Sequence, residues 1–199
     1  MPLTRTQISQ PRNGASMSRV ALIDAANAAP AAQPFYANGD PGPVPASLAQ
    51  VPDLMAAALP FIGRAFAPTT LDARTKEIVI LRVSAQARCR YCTQTHSVVA
   101  MGAGLSPEEV GALRGDRAVE STFTARRDRA LITWADAIAA TPQGVGDAAF
   151  AALSALFSQP EIVELTVVAG LTLLLNRYAT ALDLPVHPAH AAELARFGW

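Results

Sequence analysis

Two cysteines, a histidine and a glutamate have the types and the spacing that thiol chemistry requires. Cys89 and Cys92 are the only cysteines among the 199 residues, and His96 follows Cys92 by one helical turn. On an α-helix, which advances about 100° per residue, these three side chains share one face. Two thiols at Cys-x-x-Cys spacing form a disulfide with little backbone movement. The pattern therefore predicts a reversible dithiol–disulfide site.

Such a site depends on thiolate formation, because the thiolate and not the thiol is the nucleophile. A free thiol has a pKa of about 8.5, so activation near neutral pH needs help. Cys89 lies at a predicted helix start, where free backbone N–H groups stabilise a thiolate. His96 is a base within reach of Cys92, and Glu77 is a carboxylate that can orient or reprotonate the imidazole. We expect Cys92 to attack and Cys89 to resolve, although the helix start favours the opposite order.

Two other interpretations of the cysteines stay open at this point. A zinc site could recruit His187 and His190, but these lie far along the chain and beyond a break at 183–185. A local Cys-x-x-Cys-x-x-x-His on one helix also makes a poor tetrahedral cage. The second interpretation is a pair of inert, buried cysteines. We expect neither a metal nor another cofactor.

The rest of the sequence predicts an all-α scaffold for these residues. Hydrophobic residues make up 51% of the chain and aromatic residues only 6%, which favours closely packed helices over a β-sandwich. Strand-like alternation is absent. Start signals precede several helices: Thr70-Leu71-Asp72, Ser106-Pro107 and Ser158-Gln159-Pro160. The predicted helices cover 54–66 with a disturbance at Pro60, 73–87, 89–101, a segment from 107, 124–140 closed by Pro142 and Gly144, 147–157 and 159–182.

The first part of the chain differs from this helical pattern. Residues 1–16 are predicted to be a loose tail, and 30–45 contains five prolines and two glycines. We expect that stretch to form neither helix nor strand, and to lie as an arm on the surface or against a neighbouring subunit. The predicted division is therefore a tail and arm over 1–45 and one helical domain over 46–199.

A faint internal repeat is also present. Glu77-Ile78-Val79 aligns with Glu161-Ile162-Val163 at an offset of 84 residues (77 to 161). Residues 81, 83 and 85 then match 165, 167 and 169, while the cysteine and histidine positions fall on Leu173, Asn176 and Thr180. The pattern is compatible with a degenerate helical duplication whose second copy has lost the chemistry, and also with coincidence between apolar helices.

The motif Glu77, Cys89-x-x-Cys92, His96 resembles the active-site pattern of the alkyl hydroperoxidase D family, which belongs to the carboxymuconolactone decarboxylase superfamily. The resemblance spans about residues 45–185 and is most specific at the motif, where all four residues stand at the family spacing. It implies an all-α multi-helix bundle, homo-oligomers (trimers or hexamers) and peroxidase activity through the two cysteines. The proline-rich front end is not covered by it.

The predicted function is thiol-dependent reduction of hydroperoxides, with Glu77 and His96 as a proton relay. A dithiol donor, such as a lipoyl group or a thiol protein, would restore the pair. One alternative is a decarboxylase-like or lactone-processing enzyme of the same superfamily, but that chemistry does not need two cysteines. The other is a non-enzymatic redox sensor or adaptor whose disulfide switches a partner interaction.

Charge and hydropathy limit the partners. The 16 basic and 16 acidic residues balance, and no basic block of the kind that binds nucleic acid is present. The first ten residues are polar, unlike a secretory signal. The apolar stretch 165–175 is about half the length that spans a bilayer. We expect a cytoplasmic protein that binds neither nucleic acid nor membrane.

The abundance of apolar residues predicts self-association, since a lone chain of this size does not need them all in its core. Light scattering at micromolar concentration should give the mass of a homo-oligomer. A monomer mass at that concentration would refute this prediction.

Overall fold

The computed structural model describes residues 18–140 and 145–199, and these ranges contain helices and no strand. The all-α prediction is confirmed. A 3₁₀-helix over Gln33–Tyr36 comes first. The α-helices follow in chain order: α1 Pro43–Leu48, α2 Pro52–Phe66, α3 Ala73–Gln86, α4 Arg90–Gly102, α5 Pro107–Arg114, α6 Val119–Thr122, α7 Arg126–Ala139, α8 Asp147–Ser154, α9 Gln159–Leu182 and α10 Pro188–Ala195.

The helix α3 forms the centre of the fold. It packs against α4, α5, α7 and α9, and its residues 76–81 are all buried. Its run of consecutive apolar residues, 78–81, faces all directions around the helix and must be covered on every side. The main core is therefore built around α3, and the residues on α3 face several helices at once.

The predicted start signals form caps in the structure. The Asp72 side chain, and not Thr70, caps α3 by accepting from the Thr75 N–H at 2.7 Å. Ser106 and Ser158 each form a capping box with a glutamate three residues on, Glu109 and Glu161. Each box satisfies two backbone N–H groups that the first helical turn would leave free.

Three helix predictions need correction. The helix α2 continues through Pro60, whose exposed ring removes one backbone hydrogen bond without ending the helix. The helix α8 ends at Ser154 instead of residue 157, and α10 was not predicted. The proposed closure of α7 by Pro142 and Gly144 lies outside the described residues.

The proline-rich arm also differs from the prediction. It contains the 3₁₀-helix and the start of α1, because proline fits the first helical turn, where its missing N–H has no partner to lose. Ala32 and Tyr36 are buried against Met55 of α2 within the same chain. Ser47 of α1 hydrogen-bonds the Tyr178 hydroxyl of α9 at 2.9 Å. The arm is thus part of this protomer's own packing.

The internal repeat does not extend over the cysteines. The first copy turns at Arg88 between α3 and α4, whereas the aligned second copy continues as one helix, α9, from 159 to 182.

The helix α9 is long and apolar enough to cross a membrane, as the core helices of many proteins also are. In this fold, 39% of its most apolar stretch is buried. It packs against α2, α3, α4, α7 and α8.

The only lysine of the chain is fully buried beside the centre of the fold. Lys76 donates to the carbonyl oxygens of Ala65 and Ala67 at the end of α2, and forms an ion pair with Glu164 of α9. A buried ammonium is tolerated because every donor has an acceptor. One side chain of α3 thereby holds α2 and α9 in place.

We predict that Lys76→Met lowers the free energy of unfolding by about 3–5 kcal/mol, because it leaves Glu164 and two carbonyl groups buried without their partner. Urea denaturation would measure this loss. The control Arg64→Met, at an exposed position of α2, should cost far less. The double variant Lys76→Met/Glu164→Gln should recover part of the loss. A loss below about 1 kcal/mol for Lys76→Met would contradict the assignment.

Candidate active site

A sharp turn between α3 and α4 places the first cysteine. The Cys89 N–H donates to the Ser84 carbonyl at 3.1 Å, and the Arg88 N–H donates to the Ala85 carbonyl at 3.0 Å. These are the two bonds of a Schellman motif, which ends a helix with one left-handed residue. That residue is Arg88, with φ of 53°, where glycine is usual. The left-handed conformation costs a non-glycine residue about 1 kcal/mol, so packing must enforce it.

Cys89 ends one helix and begins the next. It is the N-cap of α4, and its sulfur accepts a hydrogen bond from the Cys92 N–H at 3.3 Å. A cap is normally a serine, threonine, aspartate or asparagine oxygen. A sulfur in this position receives backbone N–H groups and the positive end of the helix dipole, which both favour the thiolate. Both cysteines are reduced and buried, with exposed fractions of 1% for Cys89 and 5% for Cys92.

The two thiols have opposite pKa shifts. The pKa of Cys89 is lowered to about 6, first by the hydrogen bond from the Cys92 thiol and then by the Cys92 N–H, the Thr180 hydroxyl and the charge of His96. The pKa of Cys92 is raised because its proton is shared with Cys89, because burial disfavours charge and because a second thiolate would be repelled. Of the two sulfurs, Cys89 is therefore the one whose thiolate is favoured, and Cys92 is the one that keeps the proton more readily.

The predicted relay residues meet across the α3–α4 interface. Glu77 of α3 is 6% exposed, and its Oε2 lies 2.9 Å from Nδ1 of His96 on α4. With Nδ1–H donating to the carboxylate, the Nε2 atom of a neutral imidazole is the basic one. The Phe66 ring contacts the His96 ring edge to face, with centroids 6.0 Å apart. The structure thus brings Glu77 and His96 into one pair beside the cysteines.

The helix α9 and the arm contribute residues that sequence reasoning missed. Thr180 contributes to the lowered pKa of Cys89, and Asn176, one turn earlier, accepts from the Ser84 hydroxyl at 3.1 Å. Leu22 and Val44, from the N-terminal part of the chain, pack against the buried cluster that contains the two cysteines. The sequence carried no signal for these contacts, since they join residues about 90 positions apart or lie outside the motif.

The remaining histidines are not in this pair. His187 caps α10, with its Nδ1 accepting from the Ala189 N–H, and His190 follows one turn later. Both are half-buried. In the described ranges no three histidine, cysteine or acidic side chains are placed to hold a metal ion.

Residues 52–137 match the model of the carboxymuconolactone decarboxylase family. The uncharacterized protein YnjA of Escherichia coli is 28% identical over 115 residues, which are 58% of this chain and 62% of YnjA. An uncharacterized protein of Mycobacterium tuberculosis is 35% identical over 108 residues, covering 54% of this chain and 36% of the relative. The match thus spans less than two thirds of either relative.

Solved structures share the fold. A protein of unknown function from Agrobacterium tumefaciens, which carries the name antioxidant defence protein AhpD, is 27% identical, with a TM-score of 0.62 over 70% of this chain and 96% of its own. An uncharacterized peroxidase-related protein with an AhpD core from Ralstonia eutropha is 18% identical, with a TM-score of 0.75 over 87% and 94%. The debrominase Bmp8, solved with 2,3,4-tribromopyrrole, is 22% identical, with a TM-score of 0.63 over 76% and 80%.

We predict that Thr180→Val raises the pKa of Cys89 from about 6, because the thiolate loses a hydrogen bond and the thiol does not. A thiol is mostly deprotonated only above its pKa. A raised pKa should therefore lower the fraction of Cys89 that is thiolate at pH 6. The iodoacetamide alkylation rate at pH 6 should fall about fivefold, and the rates should converge at pH 9. The matched control Thr166→Val changes another hydroxyl of α9 and should leave the profile unchanged. An unshifted Thr180→Val profile would remove Thr180 from the site.

Proposed function

We propose that this chain, which belongs to the carboxymuconolactone decarboxylase family through residues 52–137 and has the AhpD-like helical fold, reduces hydroperoxides with its Cys89/Cys92 pair. The observation that supports this most directly is the stabilised thiolate at the α4 start beside a Glu77–His96 pair. Family membership and the peroxidase-related neighbours favour the same class of reaction. The relatives have no established activity that could be transferred.

In the oxidising half of the proposed reaction, the Cys92 sulfur attacks one oxygen of the peroxide. The O–O bond breaks, the sulfur becomes a sulfenic acid, and the leaving alkoxide takes a proton. The proton of Cys92 first passes to the neighbouring Cys89 sulfur or to His96 Nε2. His96, held by Glu77, is the group that can return a proton to the leaving oxygen. Both cysteines are buried, and Cys92 is the slightly more exposed residue, at 5% against 1%, which favours it as the attacking thiol.

In the closing half, Cys89 displaces hydroxide from the Cys92 sulfenic acid. The Cys89–Cys92 disulfide forms and the hydroxide leaves as water after gaining a proton. The low pKa of Cys89 suits this role, because at neutral pH it loses its proton again and is ready to attack. It also suits the return step. A dithiol donor that attacks the more exposed Cys92 would expel Cys89 as a stable thiolate, and low-pKa thiols leave faster.

The same proposal includes the reductant, the oligomeric state and the cellular compartment of the protein. The donor is a dithiol, of the lipoyl or thiol-protein kind, since two electrons are needed for each turnover. We propose a homo-oligomer, supported by exposed apolar side chains along α9, namely Val163, Val167 and Leu174. The light-scattering mass tests it. A reducing compartment, the cytoplasm, would keep both thiols free, and cell fractionation with thiol trapping would test that placement.

The experiment that tests the function is peroxide consumption with dithiothreitol as donor. Wild type should turn over, and its two free thiols should disappear after one equivalent of peroxide. Glu77→Gln and His96→Gln should each slow turnover by about 100-fold or more, because a positioned acid–base pair is lost. The control Asp116→Asn, an exposed acid on the far end of α5, should keep full activity.

Trapping with a dimedone-type probe assigns the sulfurs. Cys89→Ser should form a sulfenic acid on Cys92, and Cys92→Ser should leave Cys89 unlabelled. The reverse pattern would exchange the two roles, in line with the resting charge on Cys89. Disulfide formation without turnover would favour a redox sensor. Wild type that neither consumes peroxide nor forms the disulfide would favour the decarboxylase-like alternative, whose chemistry does not need the thiols.

A further inference from the structure

A cavity of about 890 Å³ lies beside the start of α4. Its walls come from the arm (22–25 and 36–46), from α4 and from 185–191 at the start of α10. The size is within the range of small-molecule sites, about 300–1,000 Å³. Most of these wall residues lie outside 52–137, so the cavity is formed mainly by segments that the family match does not cover.

Most of the cavity wall is apolar. The carbon-rich side chains that line it come from three separate segments: Leu22, Ile23, Tyr36, Pro43, Pro185 and Val186. An apolar wall of this extent favours a ligand with an apolar body.

The charged residues of the cavity wall differ in whether they have hydrogen-bond partners within the protein. Asp24 accepts from the N–H and the side-chain amide of Asn27, and Asp40 accepts from the Gly42 N–H at 2.8 Å. Both acids therefore close turns of the arm, and both keep their negative charge there. Arg90 is exposed and has no hydrogen bond and no ion pair within the described residues, and Gln94 lies one turn after it on the same face of α4. The wall thus holds two carboxylates that are engaged in turns and one guanidinium that has no partner among the described residues, with an amide next to it.

We propose that this cavity binds a monocarboxylic acid with an aliphatic body, with the carboxylate on Arg90 and the chain against the apolar wall. A guanidinium binds a carboxylate through paired N–H donors, which neutral head groups cannot match. The proposal deepens the proposed function and rests on it, because it names carboxylated aliphatic hydroperoxides as the substrate class.

The cavity adjoins the sulfurs. Arg90 follows Cys89 directly in the chain, and Leu22 both lines the cavity and packs against the buried cluster that contains Cys89 and Cys92. The proposed ligand therefore lies next to the cluster that holds the thiol pair.

Calorimetric titration with decanoate and decan-1-ol tests the site without any turnover. Wild type should bind decanoate about tenfold more tightly than the alcohol, and Arg90→Gln should remove this preference while alcohol binding remains. The control variant Arg129→Gln, which changes an exposed arginine of α7, should keep the preference for decanoate. Ala191→Phe, at an exposed position of α10 that lines the cavity, should abolish binding of both probes.

An unchanged preference in Arg90→Gln, or no saturable binding of either probe by wild type, would overturn the proposal. Because binding requires no peroxide chemistry, a catalytically inactive protein that still prefers decanoate would retain the site and refute only the peroxidase function. Conversely, wild type that reduces ethyl hydroperoxide but does not bind decanoate would keep the function and lose this substrate class.

Discussion

The single left-handed residue at Arg88 is the constraint on which the site depends. It makes Cys89 the last residue of one helical motif and the cap of the next. A Cys-x-x-Cys pair inside a continuous helix would have its N–H groups engaged in the i to i−4 pattern, and its sulfurs would meet no free donor. The turn supplies those donors. The Cys92 thiol lowers the pKa of Cys89 most, and the backbone N–H that the turn leaves free at the start of α4 lowers it further.

Two adjacent residues of α3 carry opposite charges into the core, and each binds a different helix. Lys76 reaches α9 through Glu164, and Glu77 reaches α4 through His96. Neither charge is stable there alone, because burial without a partner costs several kcal/mol. Each buried charge therefore needs its partner. The Lys76–Glu164 pair fixes α9 against α3, and the Glu77–His96 pair holds the imidazole in place. A carboxylate can therefore lie in the buried centre of the fold because a histidine of the neighbouring helix pairs with it.

Local patterns predicted most of the helices, the capping boxes at Ser106 and Ser158, and the four motif residues. They failed where the outcome depends on distant packing. Pro60 was expected to disturb α2, yet its ring is exposed and the helix continues. Thr180 and Asn176 could not be placed in the site, because no short-range signal says which face of α9 meets α3. The arm was misread for a related reason: proline density indicates the absence of long helices, but it does not exclude one-turn helices that begin at proline.

The arm changes what the thiol pair can encounter. The matched segment 52–137 holds all four motif residues, Glu77, both cysteines and His96. The side chains that cover the cysteines come from elsewhere, with Leu22 and Val44 before that segment and Ala179 and Leu184 after it. Because Cys89 is almost fully buried, the access of any small molecule to it depends on these flanking residues. The motif and its cover are thus contributed by different parts of the chain.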